Sequence, residues 1–295
     1  MSRVEIAVNT DLFGEGGSLE QIRQLLEQVA EAGFTHIHWC HEWSGEYLYS
    51  THEMLQIRDW MEEFGLKAKG LHATKGSDRD VSVRSGHCRR DYTSDWERNR
   101  KAGVELIQNR VELAVCLGTS EVVLHLYVPH VSFQQDPGEK DRFYACVRRS
   151  LDELMPYCLK KGMRICLENL FDFPGKYMLE AWDILFSEYP AEFLGLCYDS
   201  GHANMIWGEL ATDVVKAYGN RLYAVHLHDN DGKNDSHLIP GEGNIQWAAV
   251  ADLLAGSAYR GPLVLELTCH GSREESLRRA YQAGCGLERM YRGKV

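Results

Sequence analysis

The chain has 295 residues, 44% hydrophobic and 25% charged, an ordinary globular composition that excludes a disordered chain. Its 43 acidic residues outnumber 32 Lys and Arg, giving a formal charge of −11 that disfavours extended contact with nucleic acid or an anionic membrane. No run reaches the roughly 18 apolar residues of a membrane span, the N-terminus shows no signal peptide, and the nine Cys are scattered without a Cys-x-x-Cys, so a reduced, cytoplasmic protein with no membrane contact is expected.

Along the chain, short apolar runs alternate with longer amphipathic stretches. VEIAV (4–8) predicts a first strand and 18–33 a helix, with apolar Ile22, Leu25, Leu26 and Val29 on one face and Gly33 as a stop. THIHW (35–39) and LKAKGLHA (66–73) predict strands two and three. The polar segment 74–98 predicts a long βα loop at the rim, and 93–118 a helix. There follow strand EVVLHLYV (121–128), helix 139–161, strand MRICLENL (163–170), helix 178–189, strand EFLGLCYD (192–199), helix 209–219, strand LYAVHLHD (222–229), helix 246–255, strand PLVLELT (262–268) and helix 272–291. Runs this short and this apolar suit strands buried on both faces of a parallel sheet. Eight βα units in 295 residues, about 37 residues each, predict an α/β fold: one (β/α)8 TIM barrel domain over 1–295. No Gly-x-Gly-x-x-Gly follows the first strand, which weakens an open dinucleotide-binding sheet.

Such barrels carry their chemistry at the C-terminal ends of the strands. Strand three ends with His72 and strand four carries His125. Strand five ends with Glu168-Asn169, and strand six with Asp199, followed by His202. Strand seven carries His226 and His228, then Asp229 and Asn230, and strand eight carries Glu266. One such His reads as a hydrogen-bonded rim residue, but a carboxylate in an apolar strand needs a cation or strong donors, because desolvating an unpaired charge is costly. Glu168, Asp199, Glu266 and one strand-seven His form a set suited to one divalent ion: Mn, Mg, Co or Zn. The stretch HIHWCHEWSGEYLYS (36–50) gathers His36, His38, Trp39, His41, Trp43, Tyr47 and Tyr49 near strand two. Two uses stay open: an aromatic wall such as Trp43 for a sugar ring, or packing of Trp39 with a subunit contact of a homo-oligomer. Trp207 is open in the same way.

The motifs LEN (167–169), YDSGHAN (198–204), HLHD (226–229), DSHLIPGEGNIQW (235–247) and LELT (265–268) resemble the xylose isomerase-like TIM-barrel superfamily over nearly the whole chain. That superfamily includes sugar isomerases and epimerases, inosose-processing enzymes and endonuclease IV. The resemblance implies metal ligands at Glu168, Asp199, His226 and Glu266, with His226 preferred to His228 on an H-x-x-D/E pattern. It implies Glu168 and Glu266 as the catalytic acid/base pair. It also implies His202, His237, His72, His125 and His228 as substrate-binding residues, beside Trp43 from the aromatic stretch. The reaction implied is isomerisation or epimerisation of a keto-sugar or related polyol through an enediolate, with dehydration of a sugar or inosose as the alternative on the same site. Two departures weaken a plain ketose 3-epimerase: Pro174 stands where that group has a Glu, and His237 near where it has an Arg. His72, His125, His202, Asp235 and His237 match the extra zinc ligands of endonuclease IV, which implies a second or third zinc and a phosphodiesterase as the rival reading. Against that rival, no Lys/Arg-rich groove is evident, so a carbohydrate rather than a nucleic acid is the expected partner.

Overall fold

The structure is a computed structural model that describes residues 4–14, 18–75, 88–207 and 215–295. Eight parallel strands are present: β1 (Ile6–Asn9), β2 (His36–Trp39), β3 (Lys67–Thr74), β4 (Glu121–Leu124), β5 (Arg164–Glu168), β6 (Leu194–Asp199), β7 (Leu222–His226) and β8 (Leu263–Leu265). They neighbour one another in the order β7-β6-β5-β4-β3-β2-β1-β8. The two ends meet just beyond β7, where Leu227 N donates to Val264 O at 2.9 Å and Glu266 N to Leu227 O at 3.2 Å. The cylinder thus closes as a (β/α)8 barrel.

Helices α1 (Leu19–Glu31), α2 (Thr51–Phe64), α3 (Glu97–Leu117), α4 (His130–Gln135), α5 (Glu139–Lys160) and α6 (Gly175–Glu188) fall between the strands. Then come a short helix α7 (Ser200–His202) running into a π turn (Ala203–Trp207), α8 (Trp247–Ala255) and α9 (Arg273–Arg292). Each predicted strand has an observed counterpart, but the fourth, seventh and eighth leave the ladder early, at Leu124, His226 and Leu265, so His125, His228 and Glu266 lie just past their strands. α2 is absent from the predicted elements. Its signals are local: Ser50 and Glu53 form a capping box, Gly65 ends the helix at φ 67, and Met54, Ile57, Trp60 and Met61 are its buried face. Of helix 209–219, residues 215–218 are helical and 209–214 lie outside the described residues. The predicted rim loop 74–98 is irregular at 88–96, and its residues 76–87 also lie outside them. The side chain of Trp207 is likewise not described.

Two apolar cores follow from the pleat. The large one fills the space between sheet and helices, around fully buried Trp39, Trp182 and Phe143. The small one, Val123, Cys166, Cys197 and Ala224, is a separate buried cluster from four adjacent strands. Side chains two residues apart share a strand face. Two residues further on, those same rows carry His125, Glu168, Asp199 and His226. The plug of small residues is therefore the floor on which the ionisable side chains stand. The cysteines it contains are free thiols.

Candidate metal and catalytic site

Glu168 is the hub of the site and is almost fully buried. Its Oε2 lies 3.3 Å from His72 Nε2 and 3.2 Å from His125 Nε2. Its Oε1 lies 3.2 Å from His202 Nδ1 and 3.4 Å from His226 Nδ1. Glu266 Oε2 is 3.1 Å from the same His226 Nδ1. Asp199 faces the next layer up: both of its oxygens lie at 3.0 and 3.1 Å from His228 Nε2, and Oδ1 accepts from His202 N at 2.7 Å. Above them, Asp235 meets His237 Nε2 at 3.0 Å and His202 Nε2 at 3.5 Å. The His228 and His237 rings stack with centroids 3.9 Å apart.

The scaffold fixes these side chains through two equivalent amide clamps. Asn169 Nδ2 donates to Asp199 O at 2.9 Å, and Asp199 N donates back to Oδ1 at 2.7 Å. Asn9 does the same for the residue after Glu266, with Nδ2 to Leu267 O at 2.9 Å and Leu267 N to Oδ1 at 2.8 Å. Each clamp ties the end of one strand to its neighbour where the regular ladder has stopped. The Gly of YDSGHAN has a steric reason: a Cβ on Gly201 would fall 1.9 Å from His228 Cε1. Asp229 holds the loop that follows β7. It accepts from Gly241 N at 2.8 Å, Ile245 N at 3.1 Å and Trp247 Nε1 at 2.9 Å. Two non-glycine residues have left-handed backbone among the described residues, Glu42 (φ 58) and His237 (φ 45). They stand next to, and at, residues lining the cavity, where local strain tends to be kept.

A cavity of about 240 Å3 opens onto this group. That is roughly the liquid volume of eight waters, the scale of a small metabolite. Seven predicted site residues line it: Trp43, His72, His125, Glu168, His202, His237 and Glu266. Asp199, His226 and His228 sit fully buried behind that wall. Trp43 is fixed by its Nε1, which donates to Asp11 Oδ2 at 3.3 Å, and by its ring, 4.2 Å from that of His72. Trp39 is buried in the core with its Nε1 bonded to Tyr49 Oη at 2.9 Å, so this pair packs rather than binds. Sequence reasoning missed Lys75, Tyr127, Phe171 and Asp172, which also line the cavity, and Asp11, which accepts from Trp43. Lys75 and Asp172 lie beyond strands three and five, each three residues past a highlighted position, His72 and Asn169. His38, whose Nε2 is 3.2 Å from His226 Nε2, sat in plain view on strand two.

Electrostatically the site is a nest of carboxylates balanced by imidazoles. Burial favours the neutral acid at Glu168, but the charges of His226 and His125 outweigh it and hold the carboxyl well below its usual range. Burial likewise opposes charge at His237, yet its hydrogen bond to Asp235 and the Glu266 charge push the ring up to about 9. His38 is pushed far down, first by burial and then by the neighbouring His226 charge. Four carboxylates (Glu168, Asp199, Asp235 and Glu266) thus share a small volume and draw protons onto His202, His226 and His237. Glu168 Oε2, despite its two imidazole neighbours, and Asp235 Oδ1 are buried without a well-aligned hydrogen bond, an arrangement that a cation relieves. The donor atoms of His72, His125 and Glu168 lie within 4.8 Å of one another, as do those of His72, His226 and Glu266, and those of His202, His228, Asp235 and His237. Oxygen and imidazole donors in this ratio fit a divalent transition ion or Mg.

Comparison with known proteins gives the fold a family. A family model described as xylose isomerase-like TIM barrel matches residues 26–286, and the chain belongs to that family. An uncharacterised Sinorhizobium fredii protein, y4fM, is 33% identical over 92% of this chain and 90% of its own length. Fructoselysine 3-epimerase of Shigella flexneri is 23% identical over 58% of this chain and 60% of that enzyme. Among solved structures, a D-tagatose 3-epimerase-like protein superposes with a TM-score of 0.75 at 23% identity, covering 99% of this chain and 100% of that one. A D-allulose 3-epimerase from Methylomonas gives a TM-score of 0.72 at 19% identity, covering 97% and 98%. Among the described residues, no helix is long and apolar enough to cross a membrane.

Proposed function

We propose that this member of the xylose isomerase-like family is a divalent-metal-dependent isomerase or epimerase of a keto-sugar or related polyol. The observation that carries the reading is that Glu168 and Glu266 come from different strands, line one small cavity, and stand among buried nitrogen and oxygen atoms, several of which lack a hydrogen-bond partner. The sugar epimerases among the structural neighbours support the class of reaction.

Glu168, Asp199, Glu266 and a strand-seven histidine are the residues placed to hold the ion. His226 is the expected fourth ligand and groups with Glu266 and with Glu168, whereas His228, which meets Asp199, is the ligand this reading prefers. Its Nε2 is 3.0 Å from Asp199 and belongs to the group with His202, Asp235 and His237. His226 lies a layer lower, its Nε2 taken up by His38, and backs the two glutamates. A bound divalent ion supplies electrophilic stabilisation of negative charge developing on the substrate's carbonyl oxygen. The chain's own residues do the rest. One of Glu168 and Glu266 removes the proton from the carbon beside the carbonyl, and the same or the other carboxyl returns it. Return to the opposite face inverts the centre. Proton delivery to the neighbouring carbon moves the carbonyl. His202 and His237 hold hydroxyls, and the Trp43 face receives the apolar side of the sugar. Loss of a β-hydroxyl after the same proton abstraction is the lyase variant, distinguished by its unsaturated product.

The test is deuterium uptake from solvent into a panel of ketoses and inososes. Wild-type protein with Mn, Mg, Co or Zn is expected to catalyse exchange at the carbon beside the carbonyl, and Glu168→Gln or Glu266→Gln to lose it. Exchange retained in both variants contradicts the assignment. A second reading, a multi-zinc phosphodiesterase, is favoured by one observation: His72 with His125, and His202 with Asp235 and His237, flank the central carboxylates with donors for further ions. A single Lys on the cavity wall and the net charge of −11 weigh against a nucleic-acid substrate. Three zinc ions per chain together with cleavage of abasic DNA would decide for it.

A further inference from the structure

We propose that Lys75 is the specificity determinant of this cavity and that the substrate is an acidic keto-sugar, with a carboxylate at the end remote from the reacting carbons. The inference rests on the isomerase or epimerase reading above. Lys75 is the one Lys or Arg among the described residues lining the cavity. It follows directly on β3, three residues beyond His72, so it stands about 10 Å further along the chain than the histidine that meets Glu168. Glu168 and Lys75 line the same cavity, so the first can serve proton transfer and the second recognition.

Among the described residues, the ammonium of Lys75 has no hydrogen-bonded counter-ion. It makes no hydrogen bond or ion pair with a described residue, in a protein with 43 acidic side chains to choose from. Its Nζ lies 5.7 Å from the centroid of the Trp43 ring. That ring is itself fixed by Asp11 and by contact with His72, so it aims the ammonium as well as covering the sugar. Across the mouth, Asp172 feels the Lys75 charge, but no hydrogen bond joins them, and burial holds its carboxyl above the usual range. An unpaired cation at the rim of a pocket whose depths hold carboxylates attracts an anionic tail and orients the substrate with that tail outward. The chemistry points to a carboxylate. One compact ammonium satisfies a carboxylate, whereas a phosphate is typically met by an Arg fork or a row of backbone amides. The described lining residues include no Arg.

The experiment compares a ketohexose with the ketohexuronate of the same configuration, in wild-type, Lys75→Gln and Lys75→Arg protein loaded with metal. Binding of the unreactive aldonate and alditol is measured by calorimetry alongside. Wild type is expected to favour the acid at least tenfold in kcat/KM. Lys75→Gln is expected to lower that ratio at least tenfold, mostly through KM, and Lys75→Arg to keep most of it. Aldonate should bind wild type more tightly than alditol, with the difference lost in Lys75→Gln. Equal turnover of the two sugars, or a ratio untouched by Lys75→Gln, overturns the inference and leaves the reaction standing. Preference for a cationic aminated sugar, lost in Asp172→Asn, overturns it in favour of Asp172. Lys75-dependent aldonate binding without turnover of any sugar upholds the recognition role and refutes the isomerase reading instead.

Discussion

Replacing Asn169 with Ala tests how the site is held. The Asn169 side chain satisfies both backbone groups of Asp199, at 2.9 and 2.7 Å, and both residues are almost fully buried. Alanine leaves one N–H and one C=O without partners in a place water does not reach. Each buried unsatisfied group costs about 1–3 kcal/mol, so Asn169→Ala should lose about 2–6 kcal/mol of stability. A chain of this length unfolds with an entropy of about 0.6 kcal/mol/K, which converts the loss into a Tm lower by about 3–10 °C. The same change frees the Asp199 carboxylate to drift from His228 and His202, and metal affinity should fall by about 10- to 100-fold, as for other outer supports of a ligand. Calorimetric unfolding of the metal-free protein and metal titration of the intact one read the two effects separately. Asn220→Ala, at an exposed position, serves as control and should stay within about 0.5 kcal/mol of wild type. A Tm within 1 °C of wild type, with unchanged metal affinity, would refute the clamp argument.

Glu168→Gln and Glu266→Gln should each slow solvent proton exchange by about 10²- to 10⁴-fold, the usual weight of a general acid or base; losses below tenfold in both would contradict their roles. His228→Ala should be isolated with little metal while His226→Ala retains it, by elemental analysis; the reverse result would return the ligand to His226. His41 is buried, its ring nitrogens have no hydrogen-bond partner, and burial pushes its pKa down to about 4. The unfolded chain takes up this proton from about pH 6.5 downward and the folded chain only near 4, so stability falls as pH drops through that window. The loss is about 3 kcal/mol at the bottom of it. His41→Leu should therefore gain on wild type in urea unfolding between pH 7 and pH 4, and parallel curves would show that the ring is not desolvated as described.

The barrel was legible because each strand announces itself. Runs such as RICLE and LGLCYD are apolar on both faces, as a sheet wrapped in helices requires, and a carboxylate at the end of such a run has no structural excuse. α2 was not read, since the aromatic cluster at 36–50 drew attention away from the Ser50–Glu53 capping box beside it. Which strand-seven histidine faces Asp199 was also beyond the sequence. His226 and His228 point to the same side of the strand, and both begin an H-x-x-D pattern, ending at Asp229 and at Asp231. The choice is made in three dimensions by Gly201, whose missing Cβ leaves room for the His228 ring. Lys75 and Asp172 carry no pattern of their own. They matter only because barrel closure brings the ends of β3 and β5 to one mouth. The clamps of Asn9 and Asn169 are likewise invisible until neighbouring strands are in register.

A crystal of the protein soaked in Mn(II) and measured at an anomalous wavelength tests the central claim most directly. The account predicts an anomalous peak about 2.0–2.3 Å from oxygens of Glu168, Asp199 and Glu266 and from a ring nitrogen of His228. A cavity that stays free of anomalous density at saturating Mn(II), or a peak bound away from these carboxylates, would contradict it.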